Sequence, residues 1–148
     1  MVDIPLLTSS NKSGGVVCSA RGKESKTHIK ILERYGTATL IEAKLETGRL
    51  HQLRAHCRAI GYPLLVDEIY GNRKEYFVSE LKKRRYNLKK GETERPIISR
   101  PTMHAVKLSF LDLLEKEISV EAPLPKDLKA LINLLEKYGK NSVLLQKL

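Results

Sequence analysis

Between Ile41 and Gly71 the sequence leaves the backbone few choices. Ile41, Ala43 and Leu45 alternate with Glu42 and Lys44, the period-two pattern of a half-buried strand. That pattern breaks at Glu46-Thr47-Gly48, and a helical pattern follows as far as Ile60, with Thr47 placed to cap it. Gly61 suits the helix end, and Pro63 two residues further on prevents resumption. At about 100° per residue, His51, Arg54, Ala55 and Arg58 share one side of this helix. Leu50, Leu53, Cys57 and Ile60 share the other, which is expected to be the buried one. The open side then presents two guanidiniums and an imidazole, a site for an anion.

The remaining chain reads as one domain arranged around this unit. Thr27 to Glu33 and Ala38 to Leu45 form an antiparallel hairpin that turns at Tyr35-Gly36-Thr37. Ahead of it, Ile4-Pro5-Leu6-Leu7 is a short apolar piece and Val16-Val17-Cys18 a short strand. The polar stretch from Thr8 to Gly15 and the turn from Arg21 to Lys26 make this region read as loosely packed. After it, Pro101 to Leu111 and Ile118 to Ala122 read as paired strands joined through Asp112 to Glu117. Pro125 opens a closing helix whose Leu128, Leu131, Ile132 and Leu135 form a stripe that should pack on the sheet. Gly139 should stop it, leaving 140–148 as a tail. The fold class is α+β: a mixed, mainly antiparallel sheet with a short cleft helix and a C-terminal helix.

Charge narrows the partner. Across 148 residues, 27 Lys and Arg against 17 Asp and Glu leave a net +10, which calls for a polyanion. Nucleic acid comes first and an anionic membrane surface second. Residues 72–103 form a basic insert in which Arg73, Lys74, Lys82, Lys83, Arg84, Arg85, Lys89, Lys90, Arg95 and Arg100 outnumber four glutamates. Tyr76, Phe77 and Tyr86 are interleaved there, a composition that suits tracking phosphates and stacking unpaired bases. No run of about 18 apolar residues exists to span a membrane, and the N-terminus has no signal-peptide pattern. Cys18 and Cys57 make no disulfide framework and fit a reducing cytoplasm.

Other chemistries find little support. His51 and His56 lie five apart, a poor spacing for joint metal ligation, and no Cys-x-x-Cys occurs. Cys57 falls on the apolar side of the helix and reads as core rather than nucleophile. There is no phosphate-cradling glycine loop and no Gly-x-Ser-x-Gly.

The string Glu46-Thr47-Gly48-Arg49-x-His51-Gln52-Leu53-Arg54-x-His56, followed by Gly61-Tyr62-Pro63-Leu64 and Asp67-x-x-Tyr70-Gly71, resembles the third signature motif of the RluA-type RNA pseudouridine synthases. Similarity extends to Val2–Leu6, to Gly22–Arg34, to Met103–Phe110 and to Glu121–Leu128, so the chain resembles the C-terminal part of that catalytic domain. The resemblance implies part of the pseudouridine synthase fold. It implies a reaction in which a uridine is flipped from RNA, its N-glycosidic bond cut and the base rejoined through carbon, without metal or cofactor. Arg54 would be the active-site basic residue that keeps an aspartate ionised and oriented. Arg49, His51 and Gln52 would shape the cleft or contact RNA, ribosomal or transfer, with Arg58, Lys74, Lys82, Lys83, Arg84 and Arg85 extending the basic surface. Glu46, Asp67, Tyr70 and Gly71 would be structural.

One departure bears on mechanism. The family's catalytic aspartate belongs to a His-Arg-Leu-Asp motif, and its active-site tyrosine to a Lys-x-Tyr segment. Neither has a counterpart here, and Asp3, Asp67, Asp112 and Asp127 are poor substitutes. The chain alone is therefore expected to bind RNA without isomerising uridine, either as a piece of a full enzyme or as a non-catalytic RNA-binding module. A basic structural component, the third reading, would explain the charge but not the motif.

Overall fold

A computed structural model describes residues 1–9, 14–82 and 91–139. Two hairpin strands carry the architecture, β4 (Lys26–Arg34) and β5 (Thr39–Leu45), paired antiparallel with Ile29 opposite Ala43 and Ile31 opposite Ile41. The two-residue β1 (Val2–Asp3) adds to the other edge of β4, giving the order β1-β4-β5. β2 (Leu6–Thr8) and β3 (Val16–Cys18) form a second small sheet, and β6 (Lys107–Leu111) with β7 (Glu117–Glu121) a third. Every strand pair among the described residues is antiparallel, so the α+β class holds, with three small sheets in place of one. The third pair is shorter than its pattern suggested, starting at Lys107 and not at Pro101.

Three helices complete the fold: α1 (Gln52–Ala59), the single turn α2 (Val78–Leu81) and α3 (Lys126–Gly139). α3 starts directly after Pro125, whose carbonyl accepts the Lys129 N–H, and it buries Leu128, Leu131 and Leu135. Among the described residues the stripe meets the sheet only near the hairpin turn, where Ala38 of the turn and Leu40 of β5 pack against its core. It packs into a core made with Tyr35 of the hairpin turn, Val66, Tyr76, Leu81 and Ile98. The reason is that the basic insert brings apolar anchors of its own: Tyr76 and Ile98 bridge backbone to backbone, and Leu81 turns inward from α2. Tyr76 is thus a core residue, closed to the base stacking anticipated for it. Tyr86 lies outside the described residues, as do Lys83, Arg84 and Arg85.

The N-terminal region is packed more tightly than its composition suggested. Leu6 and Val16 are buried with Ala55 of α1 and Tyr70 in a second core, and Val2 is buried on β1. The cause is pairing at long range, since β1 adds to β4 and the Leu6 amide and carbonyl both bond to Lys23.

Candidate functional site

The strand-to-helix junction is fixed by two side chains. Thr47 does not cap α1. Its hydroxyl accepts from the Lys26 amide of β4 at 3.0 Å and donates to Gln52 Oε1 at 2.8 Å. The N-cap is His51, held in the left-handed region at φ 49° without a side-chain cap bond. Gln52 Oε1 also accepts from the Arg49 amide, and its Nε2 donates to the Lys26 carbonyl and to Thr27 Oγ1. All four hydrogen-bonding positions of the amide are used.

The buried side of α1 is accordingly only partly the one expected, with Cys57 in the core as its position implied. Gln52, Ala55, His56 and Cys57 face inward, while Leu50 and Ile60 remain about half exposed. Polar groups are tolerated there because each finds a partner. His56 Nε2 donates to the Ile4 carbonyl at 2.9 Å, so Nδ1 accepts from the Thr27 hydroxyl at 2.9 Å. Gln52, anticipated as an RNA contact, is 2% exposed and spends its amide on the junction.

Arg54, expected to hold an aspartate supplied by the family's missing motif, holds one from within this chain. Its Nε and Nη2 donate to the two carboxylate oxygens of Asp67 at 2.8 and 2.7 Å, a bidentate pair. Asp67 is fully buried, and its Oδ1 also accepts the Ile69 and Tyr70 amides at 3.0 Å. The same residue closes a backbone bridge with Arg73, and Gly71 follows so closely that a Cβ there would stand 3.0 Å from the Asp67 carbonyl oxygen. Burial alone would raise the Asp67 carboxyl, but the Arg54 guanidinium and the two amides hold it below its ordinary value. Asp67 raises Arg54 in turn, so the pair stays ionised. Sequence reading placed Asp67 in the turn, where it is, and missed its bond to Arg54; no periodicity links positions 54 and 67.

Tyr70 completes the cluster. Its ring lies 5.1 Å from the Arg54 guanidinium carbon and edge-on to the His51 imidazole, and its hydroxyl accepts the Val16 amide at 2.9 Å. His51 Nδ1 is 3.3 Å from the same hydroxyl. Desolvation, with Arg54 close by, holds this imidazole below its ordinary value, so it is neutral at physiological pH. Among the described residues Arg54 Nη1 makes no hydrogen bond, so the guanidinium is held through Nε and Nη2 alone, with its carbon over the Tyr70 ring.

Around this cluster the other candidates divide. Arg49 is exposed and reaches the Glu24 carbonyl, and Arg58 is exposed on the rim of a depression shared with Val17, Cys18, Ile69 and Tyr70. Lys74 is exposed but ion-paired with Glu68 at 2.7 Å, and Lys82 lies against the Tyr138 ring. No cluster of three or more His, Cys, Asp or Glu that could hold a metal occurs among the described residues. No helix among them is long and apolar enough to cross a membrane.

Comparison with known proteins identifies relatives of the chain. Residues 8–59, which include the strand-to-helix junction and α1, match the family described as RNA pseudouridylate synthase. Ribosomal large subunit pseudouridine synthase D of Neisseria meningitidis serogroup B is 39% identical over 115 residues, covering 77% of this chain and 28% of that protein. RNA pseudouridine synthase 2, chloroplastic, of Arabidopsis thaliana is 37% identical over 133 residues, covering 84% and 30%. Ribosomal large subunit pseudouridine synthase D of Zymomonas mobilis is 32% identical over 143 residues, covering 95% and 41%. The chain spans less than half the length of each of these three relatives.

Proposed function

The chain belongs to the RNA pseudouridine synthase family, and from that premise we propose that it forms the basic wall of a site converting uridine to pseudouridine in structured RNA, ribosomal or transfer, in a reducing cytoplasm. The observation that carries this reading is Arg54: one edge of its guanidinium is locked by buried Asp67, its carbon lies over the Tyr70 ring, and Nη1 makes no hydrogen bond among the described residues. An arginine so held can orient a second anion, a reacting carboxylate or a phosphate, without itself moving. Arg49 and Arg58, with Lys74 and the lysines and arginines of the insert, then hold the distorted backbone of a flipped uridine.

The nucleophile is a separate matter. Asp67 is committed to Arg54, Asp127 to Arg100, Asp112 to the turn amides of Leu114 and Lys116, and Asp3 lies on β1 near Lys26. None of these four carboxylates is free beside Arg54, so the chain by itself binds RNA and does not isomerise it. Isomerisation replaces the hydrogen on uracil C5 with the sugar carbon, so tritium at C5 reports turnover. The homogeneous chain should retard a structured RNA with an affinity that falls steeply with salt, and should release no tritium from it. Tritium release by the chain alone would refute the proposal.

A further inference from the structure

His51 at the head of α1, Tyr70 in the turn beyond it and Val16 of β3 meet at one hydroxyl. Tyr70 is buried, and its hydroxyl carries one proton to give and two lone pairs to offer. The Val16 amide donates to the oxygen at 2.9 Å, and His51 Nδ1 stands 3.3 Å from it. Gly15 leaves room for this approach, since a Cβ there would stand 3.1 Å from the hydroxyl oxygen. Among the described residues the hydroxyl makes no other hydrogen bond, so Nδ1 is the acceptor for its proton. Were Nδ1 itself protonated, the oxygen would take two N–H donors and its own proton would be left unpaired in a buried place. The network therefore runs from the Val16 amide through the Tyr70 hydroxyl to Nδ1. It leaves the proton of the neutral ring on Nε2. His51 is partly exposed, and its Nε2 makes no hydrogen bond among the described residues.

We propose that Tyr70 holds His51 as a neutral Nε2–H donor, and that this donor binds a carbonyl oxygen of an RNA base. The proposal rests on the functional reading above for its partner, RNA, and adds the atom that binds and the group it takes. The groups around the ring set the class of acceptor. Arg54, three residues on along the helix, opposes a second positive charge at His51. Asp67 favours one but is spent on Arg54, and Tyr70 would have to withdraw its proton from Nδ1. A phosphate oxygen is best matched by a cation, which Arg49 and Arg58 supply at exposed positions of the same segment. A neutral N–H held in one direction is matched instead by an uncharged acceptor on a base edge. A carbonyl, with two lone pairs, accepts over a broad range of directions. Uracil, cytosine and guanine carry one; adenine does not.

Two measurements on the full chain test it. Nitrogen NMR near neutral pH reads which imidazole nitrogen of His51 carries the proton, and the expected answer is Nε2. Tyr70→Phe keeps the ring beside Arg54 and removes only the hydroxyl, so it should mix the two tautomers and raise the His51 titration midpoint toward its ordinary value. Fluorescence anisotropy then reads Kd for oligouridylate and oligoadenylate of equal length across a salt series. His51→Asn suits the left-handed backbone but stops short of the Nε2 position, whereas the His51→Gln amide reaches it. His51→Asn should weaken oligouridylate about three- to tenfold, the worth of one hydrogen bond, and leave oligoadenylate unchanged. His51→Gln should keep most of the oligouridylate affinity. The slope of log Kd on log salt should not change, because a neutral donor displaces no counterion. A proton found on Nδ1 overturns the proposal. So does an equal loss with both RNAs, which would make phosphate or ribose the acceptor, or a slope lowered by about one, which would mark a cation. A parent chain that binds neither RNA refutes the functional reading and the contact together. Oligouridylate binding that survives His51→Asn refutes the contact alone.

Discussion

The α1 region and the β6–β7 ribbon are both amphipathic on paper, and they end in opposite states. α1 turns Gln52 and His56 inward and leaves Leu50 and Ile60 about half exposed; the ribbon leaves Leu108, Phe110 and Val120 in solvent. What separates them is the supply of partners. Around α1, β4 offers Thr27 and the Lys26 carbonyl, β1 and its exit offer the Ile4 carbonyl, and Asp67 arrives from the following turn. Polar side chains are stable inside when every donor and acceptor is used. Among the described residues, neither apolar core includes a residue of β6 or β7. A segment's own pattern sets its two sides, and the rest of the fold decides which is buried.

The sharpest way to break this contrast is to remove one half of the buried pair. Asp67→Ala leaves the Arg54 guanidinium, 12% exposed at its side chain, facing a cavity, and strips the Ile69 and Tyr70 amides of their acceptor. The expected loss is about 3 kcal/mol in denaturant unfolding, within the usual range for an orphaned buried charge. The carboxyl's folded value is depressed, so its contribution is complete above the ordinary carboxylate value of ~3.9 and is lost as pH falls through the lower folded value. Asp67→Asn should flatten that part of the acid dependence relative to the parent chain. An acid transition of equal depth in both proteins would show that the pair carries no linkage.

Gln52→Ala comes next. It removes four hydrogen bonds and leaves the Arg49 amide and the Thr47 hydroxyl proton without their acceptor, for an expected loss of about 2 kcal/mol. Gly61→Ala is smaller. Its φ of 84° is left-handed and a Cβ would meet nothing within 4 Å, so the effect is conformational alone, about 1 kcal/mol. A loss well above that would mean that the chain after α1 is packed more closely than the structure shows. His51 offers a measurement without mutation. Its NMR titration midpoint should fall below the ordinary ~6.5, so protonation costs the folded state stability as pH drops under that value.

The same contrast explains what could be read in the sequence. β4, β5, α1 and α3 were legible because each carries its own period: alternation at Ile41, Ala43 and Leu45, and the i, i+3, i+4, i+7 stripe at Leu128, Leu131, Ile132 and Leu135. The positions of Gly61 and Pro125 were legible for the same local reason. The buried side of α1 was not, because His56 is held by a carbonyl 52 residues away and Gln52 by a strand 25 residues back. Arg54 was legible as a basic residue of the cleft helix, but its bond to Asp67 depends on how the turn after α1 folds back. Tyr76 read as a stacking aromatic because its neighbours are basic. Its burial depends on Ile98 and on α3.

The smallest expected effect is on the ribbon, and it is the most informative about that side of the comparison. Leu108→Ser removes an apolar side chain that is 59% exposed and stands opposite Val120 across the strand pair. Such a pair is worth about 0.2–1 kcal/mol, so unfolding of the lone chain should shift by less than ~1 kcal/mol. Binding of a hydrophobic dye should fall, because the substitution removes part of the chain's exposed apolar face. If the ribbon were already covered, the same change would act as a core truncation and cost about 2 kcal/mol or more, with no change in dye binding. The ratio of the Leu108→Ser effect to the Asp67→Ala effect therefore measures how far the two regions differ in burial. A ratio near one would mean that solution covers the face which the structure leaves open.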